Sequence, residues 1–189
     1  MAWLTVISGP ELGTTHEIHK LIPDGDGPVC CIGRNIVSPV RQLSLDYDLY
    51  ISRKKLGHAI VSKADGQFIL TRGTTLNPVW LIRDQNVFEL EDEGASISMG
   101  GTLLFSCGQS AILFLDVEAH PPEEMLRELR RGYGETISSL NKRHPKKLRE
   151  MTTVGKLAPL EESAILRGLW PHVRTTLVKN GYEHLLSDN

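Results

Sequence analysis

The sequence predicts a mainly β fold, a β-sandwich followed by a C-terminal α-helical extension. Three observations carry this. Between residues 3 and about 118, short segments rich in Val, Ile, Leu and Phe recur at close spacing. Turn formers separate them: Gly9-Pro10, "PDGDGP", Asp65-Gly66, Asn77-Pro78, Gly100-Gly101 and Gly108. No long amphipathic helical pattern interrupts them, which argues against a doubly wound α/β fold and for a sandwich.

Eleven segments read as strands: "WLTVIS", "HEIHKL", "VCCIG", "DLYIS", "HAIVS", "QFILT", "VWLIR", "VFEL", "ASISM", "TLLFS" and "AILFLDV". The stretch from about 35 to 47 shows no regular pattern, and irregular segments of that length in a compact domain often carry function. At His120-Pro121-Pro122 the pattern changes. Prolines followed by Glu123-Glu124 form a helix start, with Pro early and acids in the first turn. Met125/Leu126, Leu129, Tyr133, Ile137 and Leu140 then recur at helical spacing. Gly132 and Gly134 each weaken this helix by up to about 1 kcal/mol, and Pro145 is expected to end it. "KLREMTTVGKLAP" reads as a helical turn running into a linker. A second helix begins near Pro159, with Leu160, Ala164/Ile165, Leu169, Val173 and Leu177 on its face, and Pro171 should kink or restart it. The division expected is residues 1–119 as the sandwich and 120–189 as the extension.

Composition narrows the class. The chain has 189 residues, a formal net charge of −2 and 40% hydrophobic residues. It contains no apolar run near the roughly 18 residues a membrane helix needs, and its start lacks a signal-peptide pattern. A cytoplasmic protein without membrane insertion is expected. Cys30, Cys31 and Cys107 form neither a disulfide framework nor a zinc spacing and read as buried strand thiols. Residues 1–119 carry 9 Lys+Arg and 14 Asp+Glu, whereas 120–189 carry 12 and 9. Within the acidic part, Arg34, Arg41, Arg53, Lys54 and Lys55 cluster. A local cation group on an acidic body suggests a compact anion site and makes a nucleic-acid partner unlikely.

Three loop clusters follow strands and so can meet at one end of a sandwich: Gly33-Arg34, Ser52-Arg53-Lys54-Lys55, and Thr74-Thr75-Leu76-Asn77. Together they offer a guanidinium, further cations, hydroxyl donors and an amide. Arginine gives bidentate charge-assisted bonds, lysine adds point charge and hydroxyls complete the shell around a phosphate dianion. An asparagine beside it suits a peptide backbone better than free phosphate. Catalysis is not expected. Ser52, His58 and Asp46 or Asp48 supply triad residue types, but there is no Gly-x-Ser-x-Gly elbow, no P-loop and no EF-hand loop. No metal site and no cofactor are expected.

The order "IGR", "ISRKKLGHAIV", "TTLNP", "LEDEGASISMGGTLLF" resembles the forkhead-associated (FHA) domain over residues 3–118. That family is an eleven-stranded β-sandwich that binds phosphothreonine peptides through its end loops. The resemblance implies that Gly33 is a structural turn glycine, Arg34 a phosphate ligand and Ser52 a hydroxyl donor to the phosphate. It implies a second cation from Arg53, Lys54 or Lys55, His58 as a buried brace, Thr75 as support, and Asn77 as a contact to the peptide main chain. The implied function is a signalling adaptor that binds a threonine-phosphorylated protein or peptide, such as a Ser/Thr kinase or its substrate. The alternative is an FHA-like scaffold subunit of a larger assembly that does not bind phosphate. Two positions depart from the family's pattern. Ser52 and His58 lie six apart where the family has three, so with His58 as anchor Lys55 takes the serine's place. Pro78 stands where glycine usually follows the asparagine. The extension would bind a partner protein or self-associate. Its basic run "NKRHPKKLRE" reads as a solvated helix end, and Thr152-Thr153 are candidate phosphorylation sites that the 34–55 cations could recruit.

Overall fold

In the computed structural model, described for residues 1–18, 27–34, 41–48, 50–54, 56–75, 77–83, 85–97, 100–143 and 159–186, the alternating apolar segments form eleven strands in two sheets. They are β1 (Ala2–Val6), β2 (Thr15–Ile18), β3 (Gly27–Gly33), β4 (Arg41–Ser44), β5 (Ala59–Ala64), β6 (Gln67–Arg72), β7 (Val79–Arg83), β8 (Asn86–Glu89), β9 (Ala95–Ile97), β10 (Thr102–Cys107) and β11 (Ser110–Leu115). One sheet has the order β2-β1-β11-β10-β7-β8 and the other β4-β3-β5-β6-β9. The pairs are antiparallel except β3–β4, which is parallel.

Ten of the eleven expected segments hold strands, and one exchange occurred. No described residue of "DLYIS" lies in a strand; the segment follows β4, and the Asp48 carbonyl accepts from the Ile51 N–H at 3.2 Å. Its place in the count is taken by Arg41–Ser44, inside the stretch read as patternless. Four residues with a single buried apolar side chain, Leu43, give too little alternation to recognise. β4 exists because the edge of β3 offers a partner, with Cys30 opposite Arg41 and Gly33 opposite Ser44.

The period-2 alternation sorts the side chains between two cores. Leu103, Phe105 and Cys107 of β10, with Ile112 and Phe114 of β11, point between the sheets and join Leu4, Val6, Ile32, Val61 and Leu70. Leu104, Ala111, Leu113 and Leu115 point to the opposite face and meet the C-terminal helices. This explains why β10 and β11 are buried along their whole length: both faces of their sheet are covered. The cysteines are free and buried.

Two helices cover that outer face: α1 (Glu123–Arg143) and α2 (Pro159–Lys179), followed by a 3₁₀ turn at Glu183–Leu186. Met125, Leu126 and Leu129 of α1 and Leu166, Leu169, Trp170, Val173 and Leu177 of α2 are buried against the sheet. The α1 start at Glu123 agrees with the proline and acid signal. α2 does not restart at Pro171; it runs through that residue, which is exposed on the helix. Gly132 has a packing reason the sequence does not reveal. A Cβ there would lie 2.7 Å from the His172 side chain, and one at Gly168 would lie 2.6 Å from the Thr136 methyl, so the helices cross on small residues. Gly134 has no such neighbour. Among the described residues no helix is long and apolar enough to cross a membrane. Thr152, Thr153 and most of the basic run lie outside the described residues.

Candidate functional site

The strand ends place the end of β3, the 45–58 loop, the 73–78 loop and the β10–β11 turn together at one end of the sandwich. Gly33 is the last residue of β3, paired with Ser44, and its carbonyl accepts from the Leu45 N–H at 2.9 Å. It sits at a strand end rather than within a turn. Arg34 follows, and its N–H donates to the Ser52 carbonyl at 3.1 Å, which sets Arg34 beside Ser52. The Arg34 side chain makes no ion pair among the described residues. Its Nε is buried and lacks a hydrogen-bond partner.

Ser52 sits at the centre of a small network. Its Oγ donates to the Thr74 carbonyl at 2.7 Å and accepts from the Lys54 N–H at 3.1 Å. The Ser52 N–H donates to His58 Nδ1 at 3.3 Å. Serine and histidine are therefore neighbours despite six positions of separation, because the intervening loop folds back, with the Gly57 N–H on the Lys54 carbonyl at 2.7 Å. Arg53 and Lys54 are exposed on this loop. Lys55 lies outside the described residues.

His58 ties four segments together. With Nδ1 accepting from Ser52, the neutral ring carries its proton on Nε2, which donates to the Pro78 carbonyl at 3.3 Å. Its backbone N–H donates to Ile32 at 2.7 Å, and its carbonyl accepts from Gly73 at 2.9 Å. Burial lowers its pKa to about 4, a shift that the nearby Arg72 charge reinforces and the Pro78 bond opposes. Arg72, which sequence reasoning missed, belongs to the same region. Its guanidinium donates to the Thr75 carbonyl at 3.5 Å and lies 3.7 Å from the Glu89 carboxylate.

Thr75 and Asn77 shape the third loop. Thr75 Oγ1 accepts from the Asn77 N–H at 3.1 Å and donates to the Asn77 carbonyl at 3.3 Å. The Asn77 amide donates to the Tyr50 carbonyl at 2.7 Å, linking this loop to the 45–52 segment. The loops meet closely at Gly73. A Cβ there would lie 2.6 and 2.7 Å from the carbonyl oxygens of Gly57 and Leu56, and backbone cannot step aside cheaply. Gly73→Ala is expected to cost about 2 kcal/mol through forced displacement of the loop. Urea unfolding of the two proteins checks this.

The residue that holds the 45–52 loop is Asp48, which the sequence offers only as one of two possible triad acids. It is fully buried. Its carboxylate accepts from the Tyr50 N–H at 3.1 Å, the Gln109 N–H at 2.8 Å and the Ser110 hydroxyl at 2.8 Å. Gly108, at φ +59, makes room, since a Cβ there would lie 2.8 Å from that carboxylate. A sequence signal exists in retrospect: an acid amid apolar residues, opposite a Gly-Gln-Ser hairpin turn. Because the Asp48 carboxylate serves that turn and both His58 nitrogens are engaged elsewhere, Ser52, His58 and Asp48 do not form a proton relay. No group of three or more metal-ligating side chains occurs among the described residues.

Arg34, Ser52, His58, Thr75 and Asn77 are thus brought together, with Lys54 joined through its backbone. No family model and no curated protein sequence matches the chain. Among solved structures, the chain is similar to the solution structure of the FHA domain of an Arabidopsis thaliana hypothetical protein, at 16% identity, covering 65% of this chain and 89% of that one, with a TM-score of 0.43.

Proposed function

We propose that the chain is an adaptor that binds a phosphothreonine peptide at the loop end of its sandwich. The observation that carries this is the Arg34 guanidinium, whose Nε is buried without a partner beside Ser52. A buried charged donor left unpaired is costly, and a phosphate oxygen would satisfy it. Arg53 and Lys54, exposed on the adjoining loop, add positive charge, with Lys55 next in sequence. Ser52 would give its hydroxyl to the phosphate. Asn77, backed by Thr75, would hold the peptide main chain. The partner class is a threonine-phosphorylated protein, including a Ser/Thr kinase or its substrate.

Titration of the full chain with a phosphothreonine peptide library and its unphosphorylated counterparts tests the reading. Binding is expected only with phosphate present. Arg34→Ala should weaken it about a hundredfold, the scale of losing charge-assisted hydrogen bonds, with little change in melting temperature. Equal affinity for both peptide sets would overturn the proposal.

One observation favours a second reading, a scaffold subunit that ignores phosphate. Ser52 Oγ and the Asn77 amide already donate to carbonyls of their own chain, each at 2.7 Å. On that reading the loop network is structural, and the same titration finds no phosphate-dependent binding.

A further inference from the structure

A cleft of about 430 Å³ opens between α1 and α2, and none of its lining residues belongs to the loops of the candidate phosphopeptide site. We propose that it is a binding site for a small molecule bearing an oxyanion, a carboxylate or a phosphate group. The lining includes Glu135, Thr136 and Ser139 of α1 and Arg167, Gly168 and His172 of α2. These follow helical spacing on each side, so two facing stripes of polar side chains address one space.

Two features point to a ligand. Thr136 is 4% exposed, yet its Oγ1 has no hydrogen-bond partner. A buried hydroxyl in a helix ordinarily bonds a carbonyl one turn back or finds another partner; one left unpaired and lining a cavity calls for an occupant. The second feature is charge. Glu135 is compensated, with Arg131 3.6 Å from one oxygen and His172 3.7 Å from the other. Arg167 makes no ion pair among the described residues and is exposed at the cleft. Among the described residues the charge left without an ion pair is positive, and the donors available are a guanidinium and two hydroxyls. An acid group would receive the Arg167 fork and the Thr136 hydroxyl together, with Ser139 at the margin. Gly168 lets α2 pack against the Thr136 methyl, where a larger residue would collide, and so fixes the side chain at the wall of the cleft. The volume falls in the range of small-molecule sites, roughly 300–1,000 Å³, so the body of the ligand fits as well as its acid group.

The site is independent of the loop end, and one experiment separates them. Amide resonances of the full chain are followed during titration with inorganic phosphate and, separately, with acetate, at constant ionic strength. Saturable shifts of Thr136, Ser139 and Gly168 are expected with at least one of the two, and the responding anion identifies the acid group. Arg167→Gln, an exposed change, should weaken this response at least tenfold. Thr136→Val, which keeps the shape and removes the hydroxyl, should weaken it too without lowering the melting temperature. Arg34→Ala should leave it unaltered. The absence of saturable shifts with either anion, or a response unchanged by Arg167→Gln or by Thr136→Val, would overturn the proposal.

Discussion

Replacing Asp48 with alanine is expected to destabilise the protein by about 4 kcal/mol, read as a lower urea midpoint with an unchanged slope. The carboxylate accepts from two backbone N–H groups and one hydroxyl, and the side chain is buried. Truncation strands all three donors, at about 1–3 kcal/mol each, partly offset by relief of burying a charge. Asp48→Asn should fall between the two proteins. Its amide oxygen still accepts, but its NH₂ faces a donor. The loss also reaches the candidate site, because this loop presents the Tyr50 carbonyl to Asn77 and leads directly into Ser52. A drop in phosphopeptide affinity alongside the drop in stability is expected for both variants.

The second large effect is a pH dependence set by His58. Its folded pKa lies near about 4, below the ordinary 6.5, chiefly because of burial. A depressed value means that the folded state resists protonation. Above pH 6.5 the ring is neutral in both states and its stabilising role is complete. Between 6.5 and 4 the unfolded chain takes up a proton that the folded chain refuses, so stability falls as the solution is acidified. By pH 4 the loss amounts to about 3 kcal/mol. Protonation has a direct structural meaning, since Nδ1 then carries a hydrogen and can no longer accept from the Ser52 N–H. Glu11 and Asp48 have the opposite sign. Burial raises both above their ordinary values, so each contributes stability present at low pH and lost as pH rises through its folded value. The two effects are separated by measuring unfolding free energies of the wild type and His58→Gln at pH 7 and pH 4. The stability gap between them should narrow by about 3 kcal/mol on acidification. A constant gap would show that the ring titrates normally in the folded chain.

How much of this was legible in the sequence follows from the range of each interaction. Strands buried on both faces, such as "TLLFS" and "AILFLDV", declare themselves, because successive residues rather than alternate ones are apolar. β4 does not, because its reason to exist is the neighbouring edge of β3. The "DLYIS" segment misleads for a related reason: its consecutive Leu, Tyr and Ile read as a short strand, while Asp48 is claimed by a turn some sixty residues away. Among the site residues, the clustering of Arg34, Ser52 and Asn77 is readable from loop positions. What is not readable is that Ser52 and Asn77 have their donors committed to Thr74 and Tyr50, since both acceptors are backbone carbonyls that any residue supplies. The pairing of Ser52 with His58 across six positions was equally hidden, for it depends on how the 53–57 loop folds back.

The two-sided burial of β10 and β11 ties the sandwich to its appendage. Leu104, Leu113 and Leu115 are packed in one cluster with apolar side chains of α1 and α2, so the helices cannot lift away without wetting a broad oily surface. Loss or reshaping of the appendage would thus be felt at the far loops as lowered solubility and a less cooperative melt, before any change in their own side chains. A lineage carrying this sheet is committed to keeping something equally greasy on its back.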